Sequence, residues 1–173
     1  PVPSSGAAII ISNHTSPADP LFLQCGTRRV VSFMMAREYY NIKFLRPIFR
    51  LNNPILVNRT GRDTAAMKAT LRALSEGRVV GVFPEGGIHL DPDTLGPAKA
   101  GMAMLALLTR APVIPAFIDR RPHTNRLWNG ILRPLKTRLI FGRPIDLTPF
   151  CGREHDHAAL QEATELLMNS IDR

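Results

Sequence analysis

Cysteine, aromatic residues and long apolar runs are all scarce in this 173-residue chain. Its two cysteines, Cys25 and Cys151, are too few for a disulfide framework or a four-cysteine metal site, so we expect free thiols in a reducing compartment. The most apolar stretch, residues 101–118, is broken by an arginine and two prolines, so no uninterrupted apolar run reaches the ~18 residues that a transmembrane helix needs. No secretory signal is recognisable. These absences argue against a disulfide-stapled fold and against a membrane-spanning helix within the chain.

The chain nevertheless has the composition of a folded domain. Apolar residues make up 45% and charged residues 21%, values typical of a globular protein with a core. The length predicts one domain covering residues 1–173. The chain opens at Pro1 rather than at a methionine, which indicates a fragment or a trimmed product. A membrane-associating element before Pro1 therefore stays open as an alternative.

Positive charge dominates, with 22 Lys and Arg against 14 Asp and Glu, a net charge of +8. This balance favours anionic partners: nucleic acid, anionic lipid or phosphorylated substrates. Residues 120–143 carry seven basic residues and no acid, which also fits a solvated, arginine-rich surface. A nucleic-acid module usually interleaves several stacking aromatics with its basic residues, and this stretch has few. We therefore expect no nucleic-acid partner.

A second basic stretch suggests contact with lipid. Residues 38–51 interleave apolar and aromatic side chains with Lys43, Arg46 and Arg50, a pattern that suits an interfacial helix on an anionic membrane surface. A helix with an ordinary core-facing side explains the pattern equally well. Pro47 would kink or end either helix.

Short β-branched apolar runs alternate with helical patterns along the chain. The runs predict strands over residues 7–12, 30–36, 54–57, 79–83, 113–118 and 133–141. Amphipathic or apolar patterns predict helices from residue 20 to 25 and over 38–51, 63–76, 98–110 and 157–171. The alternation predicts an α/β fold with a mainly parallel, buried sheet.

Three polar clusters each follow a predicted strand directly: residues 13–19, 58–62 and 84–89. In a parallel sheet, ligand sites form beyond the carboxyl ends of the strands. The three clusters are therefore predicted to converge on one cleft.

The first cluster contains a possible acid–base pair, His14 and Asp19. A proline-containing turn can bring the carboxylate onto the imidazole. The imidazole would then accept a hydroxyl proton while the carboxylate holds its tautomer. The alternative is structural: Asp19 before Pro20 would be a helix N-cap, and His14 a packed histidine.

The other two clusters offer groups that bind anions. Arg59 has the planar fork that clamps a phosphate, although it can equally be a surface residue. Glu85, Gly86 and Gly87 offer an acid and backbone donors for a phosphate or an oxyanion, or simply a loop that needs positive φ. We expect no metal site, since His89, His155 and His157 lack the usual ligand spacing on one face.

Taken in order, these segments resemble the glycerolipid acyltransferases, the lysophospholipid and 1-acylglycerol-3-phosphate acyltransferases. Residues 12–20 (SNHTSPADP) are similar to the first motif of that family, N-H-x4-D. The second and third blocks are matched by VNR at residues 57–59 and FPEGG at 83–87, and the fourth by APVIPAF at 111–117. Lys99 stands where the family commonly has a lysine. The resemblance runs from residue 7 to about residue 146.

The resemblance implies a single-domain acyltransferase fold with a mixed, largely parallel sheet flanked by helices. It implies that His14, oriented by Asp19, activates the free hydroxyl of a lysophospholipid acceptor, which attacks the thioester of acyl-CoA or acyl-carrier protein. The acyl thioester is then a substrate, and no cofactor is expected. Arg59, Glu85, Gly86 and Gly87 would bind the acceptor, with Asn13 and Lys99 as further candidates. The expected location is the cytoplasmic side of a membrane, peripherally or through an anchor outside this chain.

One departure bears on the acceptor. Many family members continue the third block Glu-Gly-Thr-Arg-Ser, where this chain has Gly87, Ile88 and His89 after Glu85-Gly86. One phosphate ligand is missing, so another lysophospholipid or an unrelated hydroxyl is possible as acceptor.

Two other functions stay open: a thioester or ester hydrolase that uses the same His–Asp pair, and a non-catalytic domain that binds anionic lipid.

Overall fold

The fold is built on a sheet of six strands. The structure, a computed structural model, describes residues 2–40, 51–58, 63–91, 95–98, 101–119, 124 and 137–171, apart from the side chains of residues 38 and 39. The strands are β1 Ala8–Ser12, β2 Val31–Ala36, β3 Ile55–Val57, β4 Val79–Val82, β5 Val113–Asp119 and β6 Arg138–Phe141. Their order is β3-β2-β4-β1-β5-β6; all pairings are parallel except that of β5 with β6.

The central strand β1 shows why the sequence forms this sheet. All five of its residues are buried. Ile9 and Ile11 belong to the core on one face, while Ala8 and Ile10 belong to the core on the other. A strand covered on both faces has no polar side, which is the reason for its continuous apolar run.

Helices cover both faces of the sheet. They are α1 Asp19–Cys25, α2 Arg37–Tyr40, α3 Thr64–Ser75, α4 Gly101–Thr109 and α5 His157–Asn169, with a 3-10 turn at Thr148–Phe150. Residues of α3, α4 and α5 join the core of Ile9 and Ile11, and Leu23 of α1 joins the core of Ile10. Asp63 and Asp156 cap α3 and α5 by accepting hydrogen bonds from backbone N–H groups of the first turn.

The predicted fold class is confirmed: an α/β domain with a mixed, largely parallel sheet flanked by helices. The predicted elements agree with the observed ones to within a few residues where the chain is described. The last strand begins at Arg138, and residues 133–136 of its predicted range lie outside the described part of the chain. Residues 41–50 lie outside it as well, so the lipid-contacting helix over residues 38–51 stays a prediction. None of the helices in the described ranges is long and apolar enough to cross a membrane.

The parallel strands bring their carboxyl ends to one edge of the sheet. At this edge β1 lies between β4 and β5, so the loops after β1 and β4 are neighbours. β3 is separated from β4 by β2, a displacement of roughly 10 Å at the usual strand spacing. The topology therefore brings the first and third polar clusters together and places Asn58, the first residue of the second cluster, farther along the edge.

Candidate active site

The register between β1 and β4 continues into the loops that follow them. Ile11 lies opposite Val82, and three residues farther along each chain His14 faces Glu85. The backbone N–H of His14 donates to Glu85 Oε1 at 2.9 Å, and the carbonyl oxygen of His14 accepts from the backbone N–H of His89 at 2.7 Å. The backbone of His14 is thus fastened on both sides to the third cluster.

The turn after β1 folds around the carboxylate of Asp19. Asp19 Oδ2 accepts hydrogen bonds from the backbone N–H groups of Thr15 at 2.8 Å and Ser16 at 2.9 Å. The same oxygen lies 3.0 Å from Nδ1 of His14. Asp19 does not cap α1, because Ala18 occupies the N-cap position and Asp19 is the first helical residue. The acid–base interpretation of His14 and Asp19 is therefore the one that the geometry supports.

These contacts determine which nitrogen of His14 carries a proton. A carboxylate oxygen only accepts hydrogen bonds, so in the neutral imidazole Nδ1–H donates to Asp19 and Nε2 carries the lone pair. The side chain of Asp19 is fully buried, whereas that of His14 remains 14% exposed. The imidazole is reachable from solvent and can accept a proton from a hydroxyl group, while Asp19 supplies a negative charge behind it.

Phe83 fixes the plane of the His14 ring. The two ring centroids are 4.0 Å apart and the planes are inclined by 18°, a stacked arrangement. Behind Phe83 lies Phe33 on β2, with ring centroids 6.0 Å apart. His14 is thus held through its backbone, its Nδ1 atom and one ring face. The packing around Phe83 restricts rotation of the imidazole.

The side chain of Asn13 makes a contact that the sequence does not predict. It is expected to bind substrate, but its side chain is buried and pairs with the backbone of Ile118 on β5. Oδ1 accepts from the N–H of Ile118 at 3.1 Å, and Nδ2 donates to its carbonyl oxygen at 3.4 Å. This geometry favours a structural role, in which Asn13 continues the pairing of β1 with β5 and supports the residue before His14.

In the third cluster, the side chain of Glu85 binds backbone groups of two other loop residues. Glu85 Oε2 accepts from the backbone N–H of Gly96 at 3.0 Å, so both carboxylate oxygens engage backbone donors. The N–H of Gly86 donates to the carbonyl oxygen of Phe83 at 3.0 Å within a turn. Gly86 has φ +68°, a conformation that favours glycine. Gly87 lies beside open space.

The second cluster starts at the end of β3. Asn58 is exposed, and its N–H donates to Asp63 Oδ2 at 2.6 Å. Hydrogen bonds from the backbone N–H groups of Asn58 and Ala66, with a smaller contribution from the nearby charge of Arg37, lower the pKa of Asp63. Arg59 and Lys99 lie outside the described residues, so their predicted roles in binding stay predictions.

Sequence reasoning missed three contacts in this site: the stacking of Phe83 on His14, the hydrogen bond that Glu85 accepts from the N–H of His14, and the one that it accepts from Gly96. Phe83 stands inside the FPEGG block, so its position carried a signal. Gly96 carried none, since a glycine in a loop is common. Across the described ranges, no cluster of three or more His, Cys, Asp or Glu residues could hold a metal ion.

Comparison with known proteins shows that the sequence is similar to acyltransferases. The acyltransferase family model matches residues 1–119. Over 99% of its length the chain is 24% identical to the 1-acyl-sn-glycerol-3-phosphate acyltransferase of Bacillus subtilis and covers 86% of that protein. It is 30% identical to the enzyme of that name from Limnanthes douglasii over 80% of this chain, which corresponds to half of the plant protein.

A solved structure has the same fold. The crystal structure of the 1-acyl-sn-glycerophosphate (LPA) acyltransferase PlsC from Thermotoga maritima superposes with a TM-score of 0.71 at 24% identity. The match covers 98% of this chain and 67% of that one. The family match includes β1 through β5, and with them the loop after β1 that carries His14 and the loop after β4 that carries Glu85. The chain therefore belongs to the glycerolipid acyltransferase family, as the order of its four sequence blocks indicates.

Proposed function

We propose that this chain moves a fatty acyl group from an acyl thioester to the free hydroxyl of a lysophospholipid, 1-acylglycerol-3-phosphate or a close analogue. The donor is acyl-CoA or acyl-carrier protein, which share the reactive thioester. The observation that carries the proposal is the 3.0 Å contact between His14 Nδ1 and the buried carboxylate of Asp19. The names of the relatives support the choice of acceptor.

His14 is the general base of the proposed reaction. As the acceptor oxygen attacks the thioester carbonyl carbon, its proton passes to Nε2 of His14. Asp19 stabilises the imidazolium that results. The tetrahedral intermediate then breaks its carbon–sulfur bond, and the sulfur leaves with the proton from Nε2. The products are an ester and a free thiol, and His14 is neutral again.

The acceptor phosphate is assigned to cationic side chains of this chain. Arg59 follows β3 in sequence and is the first candidate, with Lys99 as a second; both assignments rest on the resemblance of the sequence blocks. Arg37, an exposed residue after β2, is a described cation in this part of the edge. Along this edge, β1 with His14 lies two strands from β2 and three from β3, and a phosphate bound beside β2 or β3 would direct a glycerol hydroxyl toward His14.

We assign the reaction to the cytoplasmic side of a membrane, with the chain bound peripherally or through a segment outside it. The net charge of +8 supports attraction to an anionic surface. The acceptor and the product are both amphiphiles that reside in such a surface. Both cysteines are free and exposed, which suits a reducing compartment.

The proposal is tested by acceptor dependence. Thiol release and ester formation are measured together for acyl-CoA and acyl-carrier protein donors against a panel of lysophospholipids presented in anionic and in neutral vesicles. Transfer predicts one mole of acylated phospholipid per mole of thiol, with higher rates on anionic vesicles. Thiol release that continues at the same rate without a lysophospholipid, with free fatty acid as product, would identify a hydrolase instead.

A further inference from the structure

We infer that Glu85 is a positioning residue for His14 and does not bind the acceptor. This inference rests on the proposed function and changes the role of the third sequence block. The resemblance assigns that block to the acceptor head group, whereas the contacts of Glu85 lead to the base. Its two oxygens accept from the backbone N–H groups of His14 at 2.9 Å and Gly96 at 3.0 Å.

Electrostatics also argues against contact between Glu85 and the acceptor phosphate. A carboxylate and a phosphate carry charge of the same sign and repel each other at short distance, most strongly where water is excluded. Glu85 is half-buried, and no described cation forms a salt bridge with it within 4.0 Å. Its charge is instead matched by the dipoles of two backbone N–H groups, which a carboxylate accepts well.

Glu85 fixes the backbone of His14, whereas Asp19 holds its imidazole ring. Asp19 holds Nδ1 of the ring and Phe83 covers one ring face. Glu85 fixes the peptide N–H of His14, and the backbone of His89 fixes its carbonyl oxygen. These two bonds set the point from which the side chain projects. A shift of this point moves Nε2 relative to the acceptor hydroxyl, and displacements of about 1 Å can cost ~10²-fold in rate.

Gly96 gives a second way to disturb the same contact without changing Glu85. A Cβ atom at residue 96 would lie 2.9 Å from Glu85 Oε2 and 3.3 Å from Nδ1 of His89. The shorter distance is too close for a real Cβ, so the carboxylate or the backbone at residue 96 must shift, and either movement disturbs their hydrogen bond. Gly101 provides a matched control, because a Cβ there meets only Cε of Met67 at 3.8 Å.

The test compares Glu85→Gln and Gly96→Ala with the controls Glu162→Gln, an exposed charge change on α5, and Gly101→Ala. We expect kcat to fall roughly 10–100-fold in both test variants, with the acceptor KM within about twofold of wild type. Both controls keep wild-type kcat and KM. Arg59→Ala, in contrast, is expected to raise the acceptor KM. A raised KM with unchanged kcat in Glu85→Gln would overturn the inference and return Glu85 to the acceptor site.

A second readout does not depend on activity. The Nδ1–H proton of His14, hydrogen-bonded to Asp19, is followed by NMR in wild type and in both test variants, with folding checked by thermal unfolding. We expect this signal to shift or to exchange faster with water in Glu85→Gln and Gly96→Ala, and to be unchanged in both controls. An unchanged signal in folded test variants would overturn the inference. Absence of acyl transfer by wild type would overturn the proposed function instead.

Discussion

At two parts of the carboxyl edge of the sheet, the described residues differ in burial and in side-chain contacts. Beside β1 and β4, the side chains of Asn13, Asp19 and Phe83 are buried and have specific partners. Near β2 and β3, Asn58 and Arg37 are exposed. A base must be held in place before the substrate arrives, whereas a binding group for a charged head group can remain solvated until then. We interpret the first part as the reactive half and the second as the binding half of the edge.

The largest effect that distinguishes the two halves is expected from Asp19→Asn. The amide oxygen can accept the same hydrogen bonds, but it carries no charge to stabilise the imidazolium. We expect kcat to fall about 10²–10⁴-fold, with little change in the acceptor KM. Steady-state kinetics over a range of acceptor concentrations measures both. A variant that folds normally and retains activity within about tenfold of wild type would show that His14 does not act as a general base supported by the charge of Asp19.

Asn13→Leu is expected to have an intermediate effect, on stability rather than on binding. Leucine fills a similar volume but leaves the N–H and carbonyl groups of Ile118 without the hydrogen bonds that Asn13 makes with them. Loss of these buried bonds should lower the free energy of unfolding by about 1–3 kcal/mol. Urea denaturation measures this change. A rise in the acceptor KM at unchanged stability would instead support the predicted role of Asn13 in substrate binding.

The sequence predicts the apolar parts of the fold well and the long-range polar contacts poorly. Residues 8–12 could be identified as a buried strand because a strand covered on both faces is apolar throughout. The helical pattern over residues 63–76 likewise predicts α3, which runs from Thr64 to Ser75 with Asp63 as its N-cap. Both signals are local, since the residues that carry them are neighbours in the chain.

The contacts of Glu85 and Asn13 could not be predicted in the same way. Glu85 contacts a residue 71 positions away, and Asn13 one that is 105 positions away. These pairs form only because β4 and β5 flank β1 in the sheet, and no local pattern encodes that order. His14 and Asp19 are five positions apart, so the turn between them could be considered from sequence. Even there, the N-cap alternative was excluded only by the coordinates.

The smallest effect is expected in the binding half, from the titration of Asp63. Its pKa is lowered in the folded state by the backbone N–H groups of Asn58 and Ala66. The ionised form therefore stabilises the fold above the unfolded-state pKa, near the ordinary value of 3.8, and this contribution is lost as the pH falls through the lower folded-state pKa. We expect Asp63→Asn to lower the melting temperature slightly at pH 7 and to leave kcat unchanged.

Thermal unfolding of both proteins between pH 7 and acid conditions measures this dependence. The difference in melting temperature between wild type and Asp63→Asn should disappear as Asp63 becomes protonated. A difference that persists unchanged in acid would show that the charge of Asp63 is not the cause.

The most direct test of the central claim is turnover by His14→Ala with an acyl thioester donor and the lysophospholipid that wild type uses best. The claim is that the Nε2 atom of His14 removes the proton of the acceptor hydroxyl. It predicts that ester formation falls about 10²–10⁴-fold while the melting temperature and the acceptor affinity stay near those of wild type. A folded His14→Ala protein that forms the ester at the wild-type rate would contradict the account.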